Sequence, residues 1–212
     1  MSGQLINWMQ VGGNLFNQST NRIIWNLFLA FIPLALSFYL FRSQVRRNIW
    51  WWLLLLIFIA FLPNAPYVLT DSIHIIELSP QYPKWAIATI LIPQYTVFIT
   101  LGFEAYVVSL SKLDRYLTSY LIPRYRTFIK AIAHSLCIIG VYIGRFERFN
   151  SWDFVTKPDI VIITTVKDLF DVEKLISMAI AFITIWLLTE FIELVNSQIL
   201  RSIISDRSDL KF

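Results

Sequence analysis

Trp50-Trp51-Trp52-Leu53-Leu54-Leu55-Leu56-Ile57-Phe58-Ile59-Ala60-Phe61-Leu62 runs without a charge, opened by three tryptophans and closed by Pro63-Asn64-Ala65-Pro66. Such a run offers water no polar face, so it belongs in a protein core or in a bilayer. Tryptophans gathered at one end point to the bilayer, because an indole settles at the headgroup level. The rest of the chain agrees. Hydrophobic residues make up 57% and charged residues only 15%, against about 25% charged in an ordinary soluble domain. Mean hydropathy is +0.61.

The apolar residues come in blocks, each near the roughly 20 residues that cross about 30 Å of hydrocarbon as a helix. Besides the block above they are Ile23 to Phe41, interrupted by Pro33, then Trp85 to Leu110, Phe128 to Ile143 and Leu175 to Val195. The fold predicted is all-α, a multi-pass transmembrane helix bundle of about five spans. The second span is short or broken near Pro63–Pro66. Ile160 to Thr165 is apolar but too short to span, which predicts a re-entrant or interfacial piece.

Loop charge sets the orientation. Arg42, Arg46 and Arg47 follow the first block with no acidic residue among them, and Lys112, Arg115, Arg124, Arg126 and Lys130 face the single Asp114. Basic loops stay in the cytoplasm, so the N-terminus is expected outside and the C-terminus inside. The stretch holding Asp71, His74, Glu77 and Lys84, and the nearly balanced segment 144–174, then lie outside.

The chain divides into a polar N-terminal extension (1–22), one transmembrane domain (23–195) and a cytoplasmic tail (196–212). Met1 to Asn21 has no basic n-region, so a cleavable signal peptide is not expected and the first span serves as the insertion signal. Cys137, the only cysteine, lies in an apolar run and reads as a small hydrophobe.

A net charge of +4 could suggest nucleic acid. The basic residues instead collect in the two inner loops, interleaved with Tyr116, Tyr120 and Tyr125, where topology and contact with anionic lipid account for them. The expected partner is the bilayer, not nucleic acid, and the residues name no cofactor, ligand or protein partner. No Gly-rich phosphate loop, His-Glu-x-x-His, paired-Cys motif or Gly-x-Ser-x-Gly elbow is present in the sequence.

Two polar layers remain. The outer one joins Leu62 to His74 with Gly144 to Asp153, which the topology puts on one side. Pro63 and Pro66 disfavour α geometry in the residues before them, so Asn64 and Ala65 are expected to be unwound. Unwound backbone at membrane depth is tolerated only inside protein or beside a water-filled cavity. Asp71 and His74 are three apart and share a helix face, able to hold a metal or to act as base and orienter. Arg145 and Arg148, similarly spaced, suit phosphate or carboxylate. The candidate outer pocket is Asn64, Tyr67, Asp71, His74, Arg145, Glu147, Arg148, Asn150, Trp152 and Asp153. Blander readings stay open: Asp71 as a helix-start residue, His74 as an interfacial side chain, the arginines as neutralisers of Glu147, Asp153 and Asp71, and Tyr67 and Trp152 as belt anchors.

These two segments also resemble the signature segments of an uncharacterised bacterial integral membrane family, domain of unknown function 1361 (DUF1361), over about Phe41 to Val195. The resemblance implies a multi-pass fold, and with it a bacterial plasma (inner) membrane. It supplies no catalytic residue.

The inner layer is Glu104, His134 and Glu190, which depth arithmetic puts near one level, half a bilayer or more from the outer layer. Charged side chains at such depth face the bundle interior and find partners. Proton relay and plain helix–helix hydrogen bonding are both open. Three functions follow: an outward-facing pocket for an envelope or lipid-linked anion, a membrane-surface metal-assisted or acid-base hydrolase or transferase using Asp71 and His74, and a proton-coupled transporter using the inner layer. Enzymatic activity is left undecided.

Overall fold

The structure, a computed structural model, describes residues 2–42, 46–149 and 153–209. These residues form helices and connecting turns, with no strand among them. The helices are α1 (Ser2–Leu40), α2 (Ile49–Phe61), α3 (Asn64–Tyr67), α4 (Ile73–Leu78), α5 (Lys84–Ala86), α6 (Ile92–Thr118), α7 (Pro123–Arg145), α8 (Asp153–Thr156), α9 (Pro158–Phe170) and α10 (Val172–Asp209). Among the described residues, five helical stretches are long and apolar enough to cross a membrane: Ile6–Leu40, Ile49–Gln81, Lys84–Thr118, Pro123–Arg145 and Val172–Ile203.

Their packing fits lipid. Between 17% and 33% of each span's most apolar window is buried inside the bundle, so most of that surface must meet acyl chains. Leu56, Ile57, Val97, Ile180, Ile183 and Leu187 are among the exposed large apolar residues. A water-soluble monomer does not leave so much contiguous apolar surface bare.

The helices begin and end where local chemistry allows. Asn48 caps α2 by accepting a hydrogen bond from the Trp51 amide at 3.0 Å, which satisfies one orphan donor of the first turn. Trp51 in turn donates its indole N–H to the Leu40 carbonyl at 3.0 Å, closing the end of α1. Arg47 stacks near Trp51, Tyr116 and Tyr120 and donates to the Tyr116 hydroxyl at 2.8 Å. Pro123 and Pro158 open α7 and α9, where a missing N–H costs nothing. A π-helical turn, Ile87–Leu91, precedes α6, and the Ile92 amide reaches the Ile87 carbonyl across it just before Pro93. The expected boundary at residue 22 falls within α1, and the one at residue 195 within α10.

The second span is interrupted at Leu62–Pro63, but the expected unwinding at Asn64 and Ala65 does not occur. Leu62, Pro63, Val68 and Ser72 all keep right-handed helical dihedrals. The chain passes through α3 and a 3-10 turn, Val68–Ser72, into α4. Both prolines sit at a helix start, where no donor is lost: Pro63 precedes α3 and Pro66 lies in its first turn. The Ala65 amide reaches back to the Leu62 carbonyl at 3.2 Å, and the Tyr67 amide to that of Pro63 at 3.1 Å.

This wedge sits among α1, α6 and α7. Two glycines let it come close. A Cβ on Gly140 of α7 would lie 2.7 Å from the Pro63 ring, and one on Gly102 of α6 would lie 2.8 Å from the Val68 methyls. Small residues of this kind allow membrane helices to approach each other closely. The approach places Asp71 beside Arg145.

Candidate functional site

Arg145 ends α7 about 33 Å along the helix from Pro123 at 1.5 Å per residue, so it lies at the bundle end away from Arg47. Gly144 admits the Tyr67 ring beside it, with 3.4 Å left to a notional Cβ. The Arg145 guanidinium carbon lies 5.1 Å from the centre of that ring. Its Nη2 donates to the Thr70 carbonyl, and to Asp71 Oδ1 at 3.0 Å.

Asp71 is buried, 3% exposed, and would be costly there without partners. It has them on both oxygens. Asn26 of α1 donates its amide to Oδ2 at 2.5 Å. His74 Nε2 faces Oδ1 at 3.7 Å, one turn along the helix. The carboxylate therefore ties α1, the second span and α7 into one contact.

His74 continues the cluster toward the surface. Its Nδ1 lies 2.6 Å from Glu77 Oε2 and 3.0 Å from Arg22 Nη1. One nitrogen cannot serve both at once: carrying the proton it donates to Glu77, and without it it accepts from Arg22. Arg22 and Glu77 are exposed, whereas His74 is half-buried. Tyr95 of α6 lies within electrostatic range of Asp71, Arg22, Glu77 and Arg145. Its buried hydroxyl has no hydrogen-bond partner among the described residues.

The other outer candidates are placed differently. Asn64 donates to the Phe61 carbonyl at 3.0 Å and so belongs to the local turn. Glu147 accepts from Lys174 of α10 at 3.3 Å, and Lys174 also donates to the buried Asp168 of α9 at 2.6 Å. Arg148 takes a positive φ of 58° where the chain leaves α7, and its side chain is exposed. Asp153 starts α8 and is half-buried. Asn150 and Trp152 lie outside the described residues.

The inner candidates each find a separate partner. Glu104 accepts from the Asn196 amide at 2.6 Å. His134, fully buried, has Nδ1 2.8 Å from the Tyr106 hydroxyl, while its Nε2 has no partner among the described residues. Glu190 and Glu193 both pair with Lys130, each at 2.8 Å. Glu104, His134 and Glu190 are not hydrogen-bonded to one another, although Lys130 and His134 share a face of α7.

Arg22, Asn26, Glu77, Tyr95, Asp168 and Lys174 were not singled out from the sequence as site residues. Arg22 and Asn26 carried a usable signal: they are four apart at the start of an apolar block, so they share a face, and polar residues in a span turn inward. Among the described residues, no group of three or more His, Cys, Asp and Glu side chains is arranged to hold a metal ion. The chemistry on offer is charge-assisted hydrogen bonding by two guanidiniums, steered by a buried carboxylate.

Five apolar helices around an inter-helix polar cluster make this an integral, multi-pass membrane protein. The profile of the family described as "Protein of unknown function (DUF1361)" matches residues 25–199, so the chain belongs to that family. No curated protein and no solved structure matches it.

Proposed function

We propose that the Asp71–Arg145 cluster binds an anionic envelope or lipid-linked ligand at the outer face of a bacterial plasma membrane. One observation carries the reading. The Arg145 guanidinium commits Nη2 to Thr70 and Asp71, yet among the described residues no bond engages its Nε or Nη1. Those two nitrogens carry three N–H donors, fixed in the plane that suits a carboxylate or phosphate. Tyr67 supports one face of the guanidinium and Asp71 fixes its rotation, so little freedom is lost when an anion docks. Arg22 supplies a second, exposed guanidinium, linked to the cluster through His74.

The outward orientation rests on the basic residues of the opposite bundle end, Arg42 and Arg47 after α1 and Lys112 to Arg126 around the turn between α6 and α7. A ligand carried on a lipid reaches this level without leaving the membrane.

Native mass spectrometry of the full chain, released from nanodiscs containing phosphatidylglycerol, phosphatidylcholine and a polyprenyl phosphate, tests the reading. Retention of one of the two anionic lipids over phosphatidylcholine is expected. Arg145→Gln is expected to lower that retention by about tenfold, the equivalent of one charge-assisted contact. Arg22→Gln, at an exposed position, lowers it without disturbing the fold. Equal retention of all three lipids, or retention unchanged in folded Arg145→Gln and Arg22→Gln proteins, would rule the site out.

A further inference from the structure

Helix α9, outside the cluster, has an exposed apolar face. Ile162, Ile163, Val166, Leu169 and Phe170 fall at positions i, i+1, i+4, i+7 and i+8, one stripe of a helix. All five are exposed, from 36% at Leu169 to 85% at Phe170. The buried residues Val161 and Asp168 lie on the other side. Lys174 grips Asp168 and Glu147 there, holding α9 to α10 and to the chain leaving α7.

Three features decide what covers the stripe. With 13 residues, α9 is about 20 Å long and cannot cross the hydrocarbon. A single residue, Asp171, separates it from α10; that carboxylate accepts from the Glu173 and Lys174 amides at 3.0 and 3.3 Å, which fixes the corner. The exposed Leu175, Ile176 and Ile180 follow closely at the start of the last span. Both ends of α9 are charged and exposed, with Lys157 and Asp159 at one and Asp171 and Glu173 at the other. Tilting the helix inward would carry Lys157 and Asp159 toward the middle of the hydrocarbon, where charge is costliest. A level helix keeps both ends at the headgroups.

We infer that α9 is an in-plane interfacial helix that rests its Ile162–Phe170 stripe on the acyl chains of the leaflet nearest the Asp71 cluster. Its partner is the lipid surface of the same bilayer that the spans cross. An uninterrupted helix joined directly to α10 has no second limb, which distinguishes it from a re-entrant loop.

Environment-sensitive fluorophores test this on the reconstituted full chain. In a Cys137→Ala background, Ile163→Cys and Phe170→Cys are labelled singly, with Ile162→Cys as a second reporter of the end opposite Phe170. Val166→Cys reports the same face should Ile163→Cys fail to fold. All labels are expected to emit blue-shifted light and to be quenched several-fold more by lipids spin-labelled near the headgroup than by lipids labelled near the bilayer centre. The ends of the helix should report the same depth. Dominant quenching by aqueous iodide, a deep reading at the Ile162 end, or resistance to every quencher because a protein surface covers the stripe would each overturn the assignment.

Discussion

The two polar layers of this bundle are built differently. In the outer layer one buried carboxylate, Asp71, takes hydrogen bonds from Asn26 on α1 and Arg145 on α7 and faces His74 on its own segment. At the inner end the polar residues pair off: Glu104 with Asn196, His134 with Tyr106, and Lys130 with two glutamates. The inner pairs are inter-helix fasteners, each with its own hydrogen bond. The outer group shares one carboxylate, so removing Asp71 or Arg145 strips the other of its ionic partner. A coupled, charged cluster with spare guanidinium donors is suited to recognition, whereas separate fasteners serve assembly.

The largest expected effect follows from uncoupling. Arg145→Met leaves Asp71 buried with Asn26 as its close hydrogen-bond donor and His74 3.7 Å away, and a broken buried pair costs about 3–5 kcal/mol. Denaturant titration in micelles should show that loss, and a loss below about 1 kcal/mol, the range of exposed pairs, would erase the contrast between layers. Asn26→Ala removes the donor to Oδ2 while keeping Arg145. Here about 1.5–3 kcal/mol is expected, as for hydrogen bonds to charged groups, read from the same titration.

Smaller effects belong to the inner layer. Tyr106→Phe takes the partner from His134 Nδ1, and intramembrane hydrogen bonds average about 0.6 kcal/mol with an upper end of about 1.7. Thermal unfolding midpoints of the two proteins compared side by side measure this. Glu190→Gln is expected to change stability least, within about 0–1 kcal/mol, since Glu193 still holds Lys130 and half of the Glu190 side chain is exposed. An inner substitution that cost more than Arg145→Met would invert the comparison.

Much of the fold was legible because the bilayer imposes it. Block length, the three tryptophans and the scarcity of charge each follow from crossing hydrocarbon, and none depends on which helix touches which. The break after Leu62 was legible from its prolines. Its conformation was not, since the wedge packs Pro63 against Gly140 and Val68 against Gly102, residues far along the chain. Topology alone brought Asp71, Tyr67, His74 and Arg145 to one side of the membrane. Their link to Asn26 and Arg22 is tertiary, decided by how α1 rotates against the second span, and no loop charge encodes it. The inner trio shows the same limit: depth arithmetic gives level but not azimuth, so residues at one height can face different neighbours.

The outer layer is expected to behave as one unit. A double-mutant cycle on Asp71→Asn and Arg145→Gln, with unfolding free energies measured for both single variants and the double variant, tests it. The account predicts strong coupling, about 2 kcal/mol or more, with the double variant well short of the sum of the singles. Additivity to within about 0.5 kcal/mol, as found for independent sites, would contradict it.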